Sequence, residues 1–230
     1  MNDEKLKIFQ KLSKIFFEHG YKLYLVGGTV RDFLLKKELT DFDMTTNASP
    51  AEVKGFLSEY IVLDKYEKLG SLKIKFEGLS IDLVTLRKEK QYFDSRHPTK
   101  IQFVKKLKQD YKRRDFTINA MYLDSNFHLY DFCFGLNDLN NHQIKMVGNA
   151  SKRIKEDPLR ILRAIRFSLE LNFSIEEKLA KAMHKHIKLL NLLNKDKINQ
   201  EIKKIKNVSE EKINSIFDKF HIHYLLDMVK

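Results

Sequence analysis

The stretch Leu39-Thr40-Asp41-Phe42-Asp43-Met44-Thr45 places two carboxylates one residue apart in a short run that is predicted to form a strand. Side chains alternate between the two faces of a strand, so Asp41 and Asp43 are expected on one face, opposite Phe42 and Met44. Two neighbouring carboxylates repel each other unless a cation lies between them. Mg²⁺ fits this position, because it binds carboxylate oxygens together with substrate phosphates. The pattern therefore predicts a metal site at Asp41 and Asp43, although a solvated strand edge or a turn would show the same spacing.

A third acidic residue lies in a later apolar run, Ile81-Asp82-Leu83-Val84. On a strand, Asp82 points away from its apolar neighbours, and an acid there is costly to bury unless it is paired. If this strand lies beside the strand with Asp41 and Asp43, the three carboxylates form one cluster. Such a cluster can hold two metal ions, one for an attacking hydroxyl and one for a triphosphate, as phosphoryl transfer requires.

Two glycines lie upstream in Leu25-Val26-Gly27-Gly28-Thr29-Val30-Arg31-Asp32, between a predicted strand and a predicted helix. Gly27 and Gly28 allow the backbone to approach a ligand closely, and the N–H groups at a helix start favour a phosphate. Arg31 lies in the first helical turn, from which its guanidinium can reach the same anion. A plain tight turn is the alternative, but the arginine and the Asp-x-Asp pattern that follow favour phosphate binding.

Short apolar runs bounded by turn residues predict the strands of this region. They are Leu23–Val26, Phe42–Thr45, Leu72–Phe76 and Ser80–Leu86. Ser49-Pro50 predicts a helix start, with serine as the N-cap and proline in the first turn. Arg87–Lys100 is predicted to be a polar loop.

Gly27-Gly28-Thr29-Val30-Arg31-Asp32 followed by Asp41-Phe42-Asp43 resembles the signature of the DNA polymerase β-type nucleotidyltransferases. More narrowly, the chain resembles the class II tRNA nucleotidyltransferases (CCA-adding enzymes) and the bacterial poly(A) polymerases related to them. Three further stretches match the family's second motif, its flexible loop and its base-reading motif. They are Arg113-Arg114-Asp115-Phe116-Thr117-Ile118-Asn119-Ala120, Asp94-Ser95-Arg96-His97-Pro98 and Glu156-Asp157-Pro158-Leu159-Arg160.

The pattern and the resemblance together predict an α+β fold, with a polymerase β-type head that contains a mixed sheet and an all-helical neck. Apolar residues recur at helical spacing from Ser151 onward, as at Ile161, Leu162 and Ile165. We therefore expect a nucleotidyltransferase head at residues 1–150 and a helical neck that binds nucleotide and RNA at residues 151–230.

The base-reading motif places Asp157, Arg160, Arg163 and Arg166 on one face of a helix that is predicted to begin at Pro158. Aspartate accepts a hydrogen bond and arginine donates one. Cytosine and adenine each offer an amino donor beside a ring-nitrogen acceptor, whereas uracil and guanine would leave like groups facing each other. The resemblance implies that Asp157 and Arg160 select CTP and ATP, and that Arg163 and Arg166 help to bind the nucleotide or the RNA end. A solvated basic face is the alternative.

The resemblance assigns further roles to the second motif and the loop. It implies that Arg114 binds the triphosphate, and that Asp115 and Asn119 contact the ribose unless their hydrogen bonds are structural. Arg96 and His97 lie in the loop that moves as the site switches from C to A, unless His97 belongs to a surface turn. This loop has its full length here, which favours addition of A.

The chain has 230 residues and a formal net charge of +12, of which more than half lies after residue 150. This balance favours a polyanionic partner such as RNA, although an AT-rich genome also produces a lysine-rich chain. A single cysteine, Cys133, excludes an internal disulfide and a cysteine-based zinc site. The charged Met1–Gln10 and the lack of a long apolar run predict neither a signal peptide nor a membrane span. A cytoplasmic location fits these features.

The expected activity is addition of CCA to the 3′ end of tRNA, from CTP and ATP, with Mg²⁺ as cofactor. A poly(A) polymerase and an enzyme that adds only CC or only A are alternatives with the same site. A non-catalytic RNA-binding remnant is an alternative of another class, against which the intact Asp41, Asp43, Gly28 and Arg31 argue. A metal-dependent toxin or antibiotic-modifying transferase would share the glycines and the Asp-x-Asp pattern but would not need Asp157 and Arg160. The oligomeric state is not predicted.

Two features depart from the family pattern. Asp82 stands where the family usually has glutamate, and its shorter side chain would reach a metal through water. Family members usually continue into further helical domains that hold the tRNA, whereas this chain ends at Lys230. If it is naturally short, the basic helices from Lys178 to Lys206 are expected to hold the RNA, with weak and salt-sensitive binding.

Overall fold

The computed structural model describes residues 2–40, 42–92 and 98–227. The chain divides into two units. The first contains Met1–Gln91, Thr99–Arg114 and Ile118–Gly135, and the second contains mainly Asp115–Thr117 and Leu136–Lys230. The predicted division into a head at 1–150 and a neck at 151–230 stays a prediction.

Before residue 135 the structure contains nine strands and four α-helices within the described residues. The strands are β1 (Leu23–Val26), β2 (Asp43–Thr46), β3 (Ile61–Leu63), β4 (Ser71–Phe76), β5 (Leu79–Thr85), β6 (Arg87–Tyr92), β7 (Pro98–Phe103), β8 (Met121–Leu123) and β9 (Leu129–Asp131). The helices are α1 (Asn2–Glu18), α2 (Gly28–Leu34), α3 (Pro50–Leu57) and α4 (Leu107–Asp110). Short 3-10 turns at Ser58–Tyr60, Glu67–Leu69, Tyr111–Arg113 and Thr117–Asn119 connect some of them.

A seven-stranded mixed sheet forms the centre of the first unit, with the order β3-β4-β5-β2-β1-β8-β9. β2 and β5 run parallel, whereas the other neighbouring strands of this sheet run antiparallel. The predicted strands around Met44 and Leu83 are confirmed, and both of these side chains are buried. The adjacency of β2 and β5, on which the carboxylate cluster depends, is also confirmed.

The first helix buries one apolar face and stops at a glycine. Phe9, Leu12 and Phe16 recur at helical spacing and are fully buried. Gly20 has φ 80°, and the Tyr21 N–H donates to the Phe16 carbonyl at 2.8 Å. This left-handed C-terminal cap ends the helix.

The start of α3 follows the predicted capping pattern. The Ser49 hydroxyl accepts from the Glu52 N–H at 3.3 Å, and the Ser49 N–H donates to the Glu52 carboxylate at 2.6 Å. Pro50 occupies the first turn, where it has no N–H to leave unpaired. The amide of Ser49 also lowers the pKa of Glu52 to about 2.

The predicted polar loop at Arg87–Lys100 is wrong, because β6 and β7 form a separate two-stranded sheet. These strands are rich in lysine, glutamate and glutamine, which have low strand propensity and gave no apolar alternation. The two strands pair with each other. Arg96 and His97 lie outside the described residues.

The second unit is mainly helical. Its helices are α5 (Gly135–Asn140), which starts at the unit boundary, α6 (Ala150–Glu156), α7 (Leu159–Leu171), α8 (Glu177–His186), α9 (Lys195–Ile202), α10 (Glu210–Lys219) and α11 (Tyr224–Asp227), with a 3-10 segment at Ile187–Leu192. Two short strands, β10 (Gln143–Ile144) and β11 (Ser174–Ile175), pair in parallel. Ile161, Leu162 and Ile165 of α7 are buried, as predicted. A mixed sheet followed by helices confirms the α+β fold class.

A membrane span was not expected from the sequence. Among the described residues, every helix is too short or too polar to cross a bilayer.

Candidate active site

A strained glycine turn leads from β1 into α2. Gly27 has φ 68° and ψ −132°, a combination that residues with a Cβ rarely adopt. A Cβ on Gly27 would lie 3.5 Å from Asp43 Oδ2 and 3.9 Å from Arg114 Nη1. The Asp43 N–H donates to Thr29 Oγ1 at 2.9 Å, which ties the start of α2 to β2. The turn is therefore bordered by a carboxylate and a guanidinium.

The carboxylates of β2 and β5 leave the sheet on the same face. Asp43 and Asp82 are register partners on these parallel strands, so their side chains point the same way. Asp82 is 56% exposed, and its Oδ1 lies 3.5 Å from Lys73 Nζ on β4. Asp43 is half-buried, and Asp41 lies outside the described residues. Asp82 thus lies between Asp43 and a lysine.

The donors at this sheet face suit a hard divalent cation. Asp43 and Asp82 offer carboxylate oxygens from adjacent strands, and such oxygens are the ligands that Mg²⁺ prefers. No three histidine, cysteine, aspartate or glutamate side chains come together as a metal-binding group within residues 2–40, 42–92 and 98–227. The predicted cluster of three therefore depends on Asp41.

Arg31 lies beside the glycine turn, where it is held by two neighbours. Its Nε and Nη2 donate to the two carboxylate oxygens of Asp32 at 2.9 and 2.8 Å. Its Nη1 donates to Asn119 Oδ1 at 3.0 Å. A Cβ on Gly28 would lie 3.6 Å from Arg31 Nη2. The described contacts of Arg31 and Asn119 are structural, and their contacts with a nucleotide stay predictions.

Arg114 is fixed on the other side of the turn. Its Nε donates to the Tyr122 hydroxyl at 3.0 Å and to Asp110 Oδ2 at 3.2 Å. Its guanidinium carbon lies 4.9 Å from the centre of the Tyr122 ring. Burial would lower the pKa of Arg114, but Tyr122 and Asp110 outweigh burial and raise the pKa. Arg114 is therefore a permanent cation beside Gly27.

Asp110 and Tyr122 were not predicted from the sequence. The available signal was the spacing of Asp110, which lies three residues before Arg113 and four before Arg114, as ion pairs on a helical turn require. Tyr122 gave no signal, because a tyrosine on a buried strand is a common core residue.

The predicted base-reading residues lie in the second unit, in α7 and directly before it. α6 ends at Glu156 and α7 begins at Leu159, with Pro158 as its N-cap. The predicted helix start at Pro158 is confirmed. The expectation that Asp157 shares a helical face with Arg160 is wrong, because Asp157 precedes a proline and adopts an extended backbone before the helix. Asp157 Oδ1 accepts from the Leu159 N–H at 3.2 Å, which fixes this carboxylate at the helix start.

Two arginines of α7, Arg160 and Arg163, are held by different partners. Arg160 is buried; its Nη1 donates to the Arg153 carbonyl and lies 3.6 Å from a Glu156 carboxylate oxygen. Arg163 Nε donates to Asp115 Oδ2 at 2.9 Å. Burial would raise the pKa of Asp115, but Arg163 outweighs burial and lowers the pKa to about 2. The predicted ribose contact of Asp115 stays a prediction beside this ion pair.

Arg166 continues the same helix and is also paired. Its Nε donates to Glu201 Oε1 at 2.7 Å, and its Nη1 donates to Glu170 at 3.0 Å. Its guanidinium carbon lies 4.2 Å from the centre of the Phe167 ring. Glu201 lies 35 residues later in the chain, so the sequence gave no signal for it. Nucleotide or RNA binding by Arg163 and Arg166 stays a prediction.

These features define a class of protein. An α+β unit in which a glycine turn meets a carboxylate on a mixed sheet has the features of a nucleotidyltransferase head. The chain belongs to the poly(A) polymerase head domain family, whose model matches residues 23–145.

Similar proteins were found by sequence and by structure. The CCA-adding enzyme of Staphylococcus haemolyticus is 41% identical over 202 residues, which cover 86% of this chain and 50% of that enzyme. The crystal structure of the Bacillus stearothermophilus CCA-adding enzyme in complex with CTP has a TM-score of 0.79 and 31% identity, and covers 87% of this chain and 48% of that chain. The Thermotoga maritima CCA-adding enzyme complexed with tRNA(CCA) has a TM-score of 0.75 and 28% identity, over 95% of this chain and 51% of that chain. This chain spans about half the length of these proteins.

Proposed function

We propose that this protein is a template-independent nucleotidyltransferase that adds CCA to the 3′ end of tRNA from CTP and ATP. The observation that carries the proposal is the Gly27 turn, which brings the Asp43 carboxylate and the Arg114 guanidinium to one place. The Bacillus stearothermophilus relative is described with CTP, and the Thermotoga maritima relative with tRNA(CCA). The basic balance of the chain suits the same RNA partner.

The head binds the reactive end of the nucleotide. Arg114 and the N–H groups of Gly27 and Gly28 bind the triphosphate, with Arg31 beside them. Asp41 and Asp43 hold Mg²⁺, and Asp82 acts as a further catalytic carboxylate on the same sheet face. When bound, Mg²⁺ lowers the pKa of the attacking hydroxyl and neutralises charge on the phosphates.

Arg114 contributes because its charge is present before the reaction begins. A cation that is already oriented stabilises negative charge developing on the phosphate oxygens without reorganising at that moment. The pairing with Asp110 and Tyr122 holds the guanidinium in place. Gly27 contributes by lacking a side chain, since a methyl group would enter the space beside Asp43 and Arg114.

Base selection is assigned to Asp157 and Arg160 in the second unit. The carboxylate of Asp157 accepts from the base amino group, and the guanidinium of Arg160 donates to the ring nitrogen. Both side chains are supported by the backbone, Asp157 through the Leu159 N–H and Arg160 through the Arg153 carbonyl. Such support restricts their rotamers, which is what a selective site requires. Arg163 and Arg166 bind the nucleotide or the RNA end.

Replacing Asp157 by alanine or asparagine should relax base choice and leave triphosphate binding intact. We expect the preference for CTP and ATP over UTP and GTP to fall by about 10²-fold, because like groups no longer face each other. Asparagine keeps an oxygen for the Leu159 N–H, so it separates base selection from helix capping. The measurement is kcat/KM for each of the four nucleotides.

A matched control removes a cap elsewhere in the same unit. Ser209→Ala deletes the hydroxyl that accepts from the Lys212 N–H at the start of α10, and it should leave base choice unchanged. Unchanged selectivity in both Asp157 variants would rule out the assigned role.

The proposed function is tested by extension of a tRNA that ends just before CCA. Each nucleotide is supplied singly, and then CTP is supplied with ATP, in the presence of Mg²⁺. Addition of C, C and A followed by a stop supports the proposal. A run of A indicates a poly(A) polymerase, which the family model also covers. Nucleotide binding without incorporation indicates a non-catalytic remnant.

The same proposal assigns a separate role to each of the two parts of the chain. Residues 1–150 form the catalytic head, and residues 151–230 form a neck that reads the base and binds RNA. The protein acts in the cytoplasm, which a chain with one cysteine suits.

A further inference from the structure

Asp110 is a fully buried carboxylate that accepts hydrogen bonds on both of its oxygens. Oδ1 accepts from the Arg87 N–H at 2.9 Å and from Arg113 Nε at 2.8 Å. Oδ2 accepts from the Tyr122 hydroxyl at 2.7 Å and from Arg114 Nε at 3.2 Å. Burial would raise the pKa of Asp110, but Arg113 and Arg114 outweigh burial and lower the pKa to about 2. A carboxylate in this position is therefore charged at neutral pH.

The two carboxylate oxygens of Asp110 have different partners. The Oδ1 side belongs to a cluster in which Glu89 lies 2.7 Å from Arg87 Nη2 and 3.8 Å from Arg113 Nη1. That side holds β6 to the segment that follows α4. The Oδ2 side contacts Arg114 and Tyr122, which lie beside the glycine turn. The Oδ2 side is therefore the part of the carboxylate that can affect the candidate site.

The contacts of Arg114 Nε and Nη2 determine where Nη1 points. Arg114 Nε donates to Asp110 Oδ2, and Arg114 Nη2 lies 3.1 Å from the same oxygen. The edge of the guanidinium that carries Nε and Nη2 therefore faces Asp110. The Nη1 end of the planar group is then directed to the Gly27 turn, 3.9 Å from the place of a Cβ on Gly27. A planar guanidinium held along one edge has little freedom to rotate.

The sheet sets the position of the second contact. Tyr122 is fully buried on β8, and it is the register partner of Val26, the residue directly before Gly27. Its hydroxyl bonds both Asp110 Oδ2 and Arg114 Nε. The backbone ladder therefore places Tyr122 beside the end of β1 that leads into the turn.

We propose that Asp110 and Tyr122 are positioning residues that orient Arg114 toward the terminal phosphates of the bound nucleoside triphosphate. This inference rests on the proposed function, in which Arg114 binds the triphosphate. Without the Asp110 carboxylate, the buried Arg114 loses its counter-ion, and a charge in that position turns toward water. Triphosphate binding then weakens, although neither positioning residue touches the nucleotide.

The test compares binding of CTP and CMP to the full chain, because only CTP carries the terminal phosphates. Tyr122→Phe removes one hydroxyl and is expected to weaken CTP binding by about 5-fold, the size of one hydrogen bond. Asp110→Asn is expected to weaken it by roughly 10-fold or more, as for a contact to a charged group. The affinity for CMP should stay within about 2-fold in both variants, since the base-reading pair is unchanged.

A double-mutant cycle with Arg114→Met separates positioning from a general structural role. If Asp110 and Tyr122 act through Arg114, neither change weakens CTP binding further once the guanidinium is gone. A merely structural role would add its full effect in the Arg114→Met background. Tyr122→Phe keeps the test valid if Asp110→Asn does not fold, because phenylalanine preserves the buried ring.

The matched control uses a second aspartate–tyrosine pair in the same unit. The Tyr130 hydroxyl donates to Asp124 Oδ2 at 3.1 Å, near the turn between β8 and β9. Asp124→Asn and Tyr130→Phe repeat both chemical changes and should leave CTP binding unchanged.

The outcomes distinguish this inference from the function on which it rests. The inference is supported if Tyr122→Phe and Asp110→Asn each lower the affinity for CTP, and if neither lowers it further in the Arg114→Met background. If Arg114→Met weakens CTP binding but Tyr122→Phe and Asp110→Asn do not, the inference alone is overturned. If the unaltered chain binds CTP no better than CMP, and Arg114→Met changes nothing, both the inference and the triphosphate site are wrong.

Discussion

Replacing Asp43 by asparagine is expected to lower the rate of nucleotide addition by on the order of 10³-fold, because a neutral amide cannot stabilise a divalent cation or its bound phosphates. The side chain borders the Gly27 turn. The fold should survive, since the contact that ties β2 to α2 uses the Asp43 backbone N–H and not its carboxylate. The measurement is single-turnover incorporation on a tRNA without CCA, with the thermal unfolding midpoint recorded for each variant.

The rate loss in Asp43→Asn is compared with that of two further substitutions. Asp64→Asn changes an exposed carboxylate that pairs with Lys54 Nζ at 2.8 Å, and it should leave the rate within about 2-fold, as for an ordinary surface ion pair. Asp82→Asn should give a smaller loss than Asp43→Asn, because Asp82 is more exposed and already lies near Lys73. A folded Asp43→Asn variant that keeps the rate within about tenfold of the unaltered chain would remove Asp43 from the catalytic set.

Replacing Asp115 by alanine is expected to destabilise the protein by about 1–3 kcal/mol at neutral pH, because a part-buried arginine then loses its charged hydrogen-bond partner. Arg163 donates to Asp115 through both Nε and Nη2, and the Phe116 N–H donates to the same carboxylate at 2.7 Å. The measurement is the free energy of unfolding from urea titration. In the same assay, Asp218→Ala should cost about 0.5 kcal/mol or less, since Asp218 is exposed and pairs with His223 at the surface.

The effect of Asp115 has a defined pH dependence. Its pKa is lowered to about 2 in the folded chain, whereas an unfolded aspartate titrates at about 3.9. Its contribution is therefore fully present above about pH 4 and is lost as the pH falls toward 2. The difference in unfolding free energy between the unaltered chain and Asp115→Ala should shrink over this interval. A difference below about 1 kcal/mol at pH 7 would contradict a stabilising ion pair.

The parts of the fold with local causes were predictable from the sequence. The Gly27 turn, the Ser49 cap and four strands of the seven-stranded sheet (β1, β2, β4 and β5) each depend on a few neighbouring residues. The proximity of Asp43 and Asp82 was predicted on the condition that their two strands are adjacent. The structure meets this condition. The motifs were informative because each combines a backbone requirement with a chemical one.

Other features depend on contacts that a linear pattern does not contain. β6 and β7 carry mainly polar residues and are held by each other, so no apolar alternation marked them. The pairing of Arg166 with Glu201 joins positions 35 residues apart. The role of Tyr122 depends on its register with Val26. In the last two cases a side chain that looks ordinary in sequence acquires its role from a distant partner.

Residues Asp115–Thr117 belong to the second unit, although their neighbours on both sides in the chain belong to the first. This arrangement limits which segments could be exchanged between related proteins. The partner of Asp115 is Arg163, 48 residues further on. A gene fusion that exchanged everything after residue 135 would leave the Asp115 carboxylate buried without its cation unless the incoming segment supplied an arginine at the matching place. Exchange of the segment after residue 135 therefore succeeds only where the new segment provides a cation for Asp115.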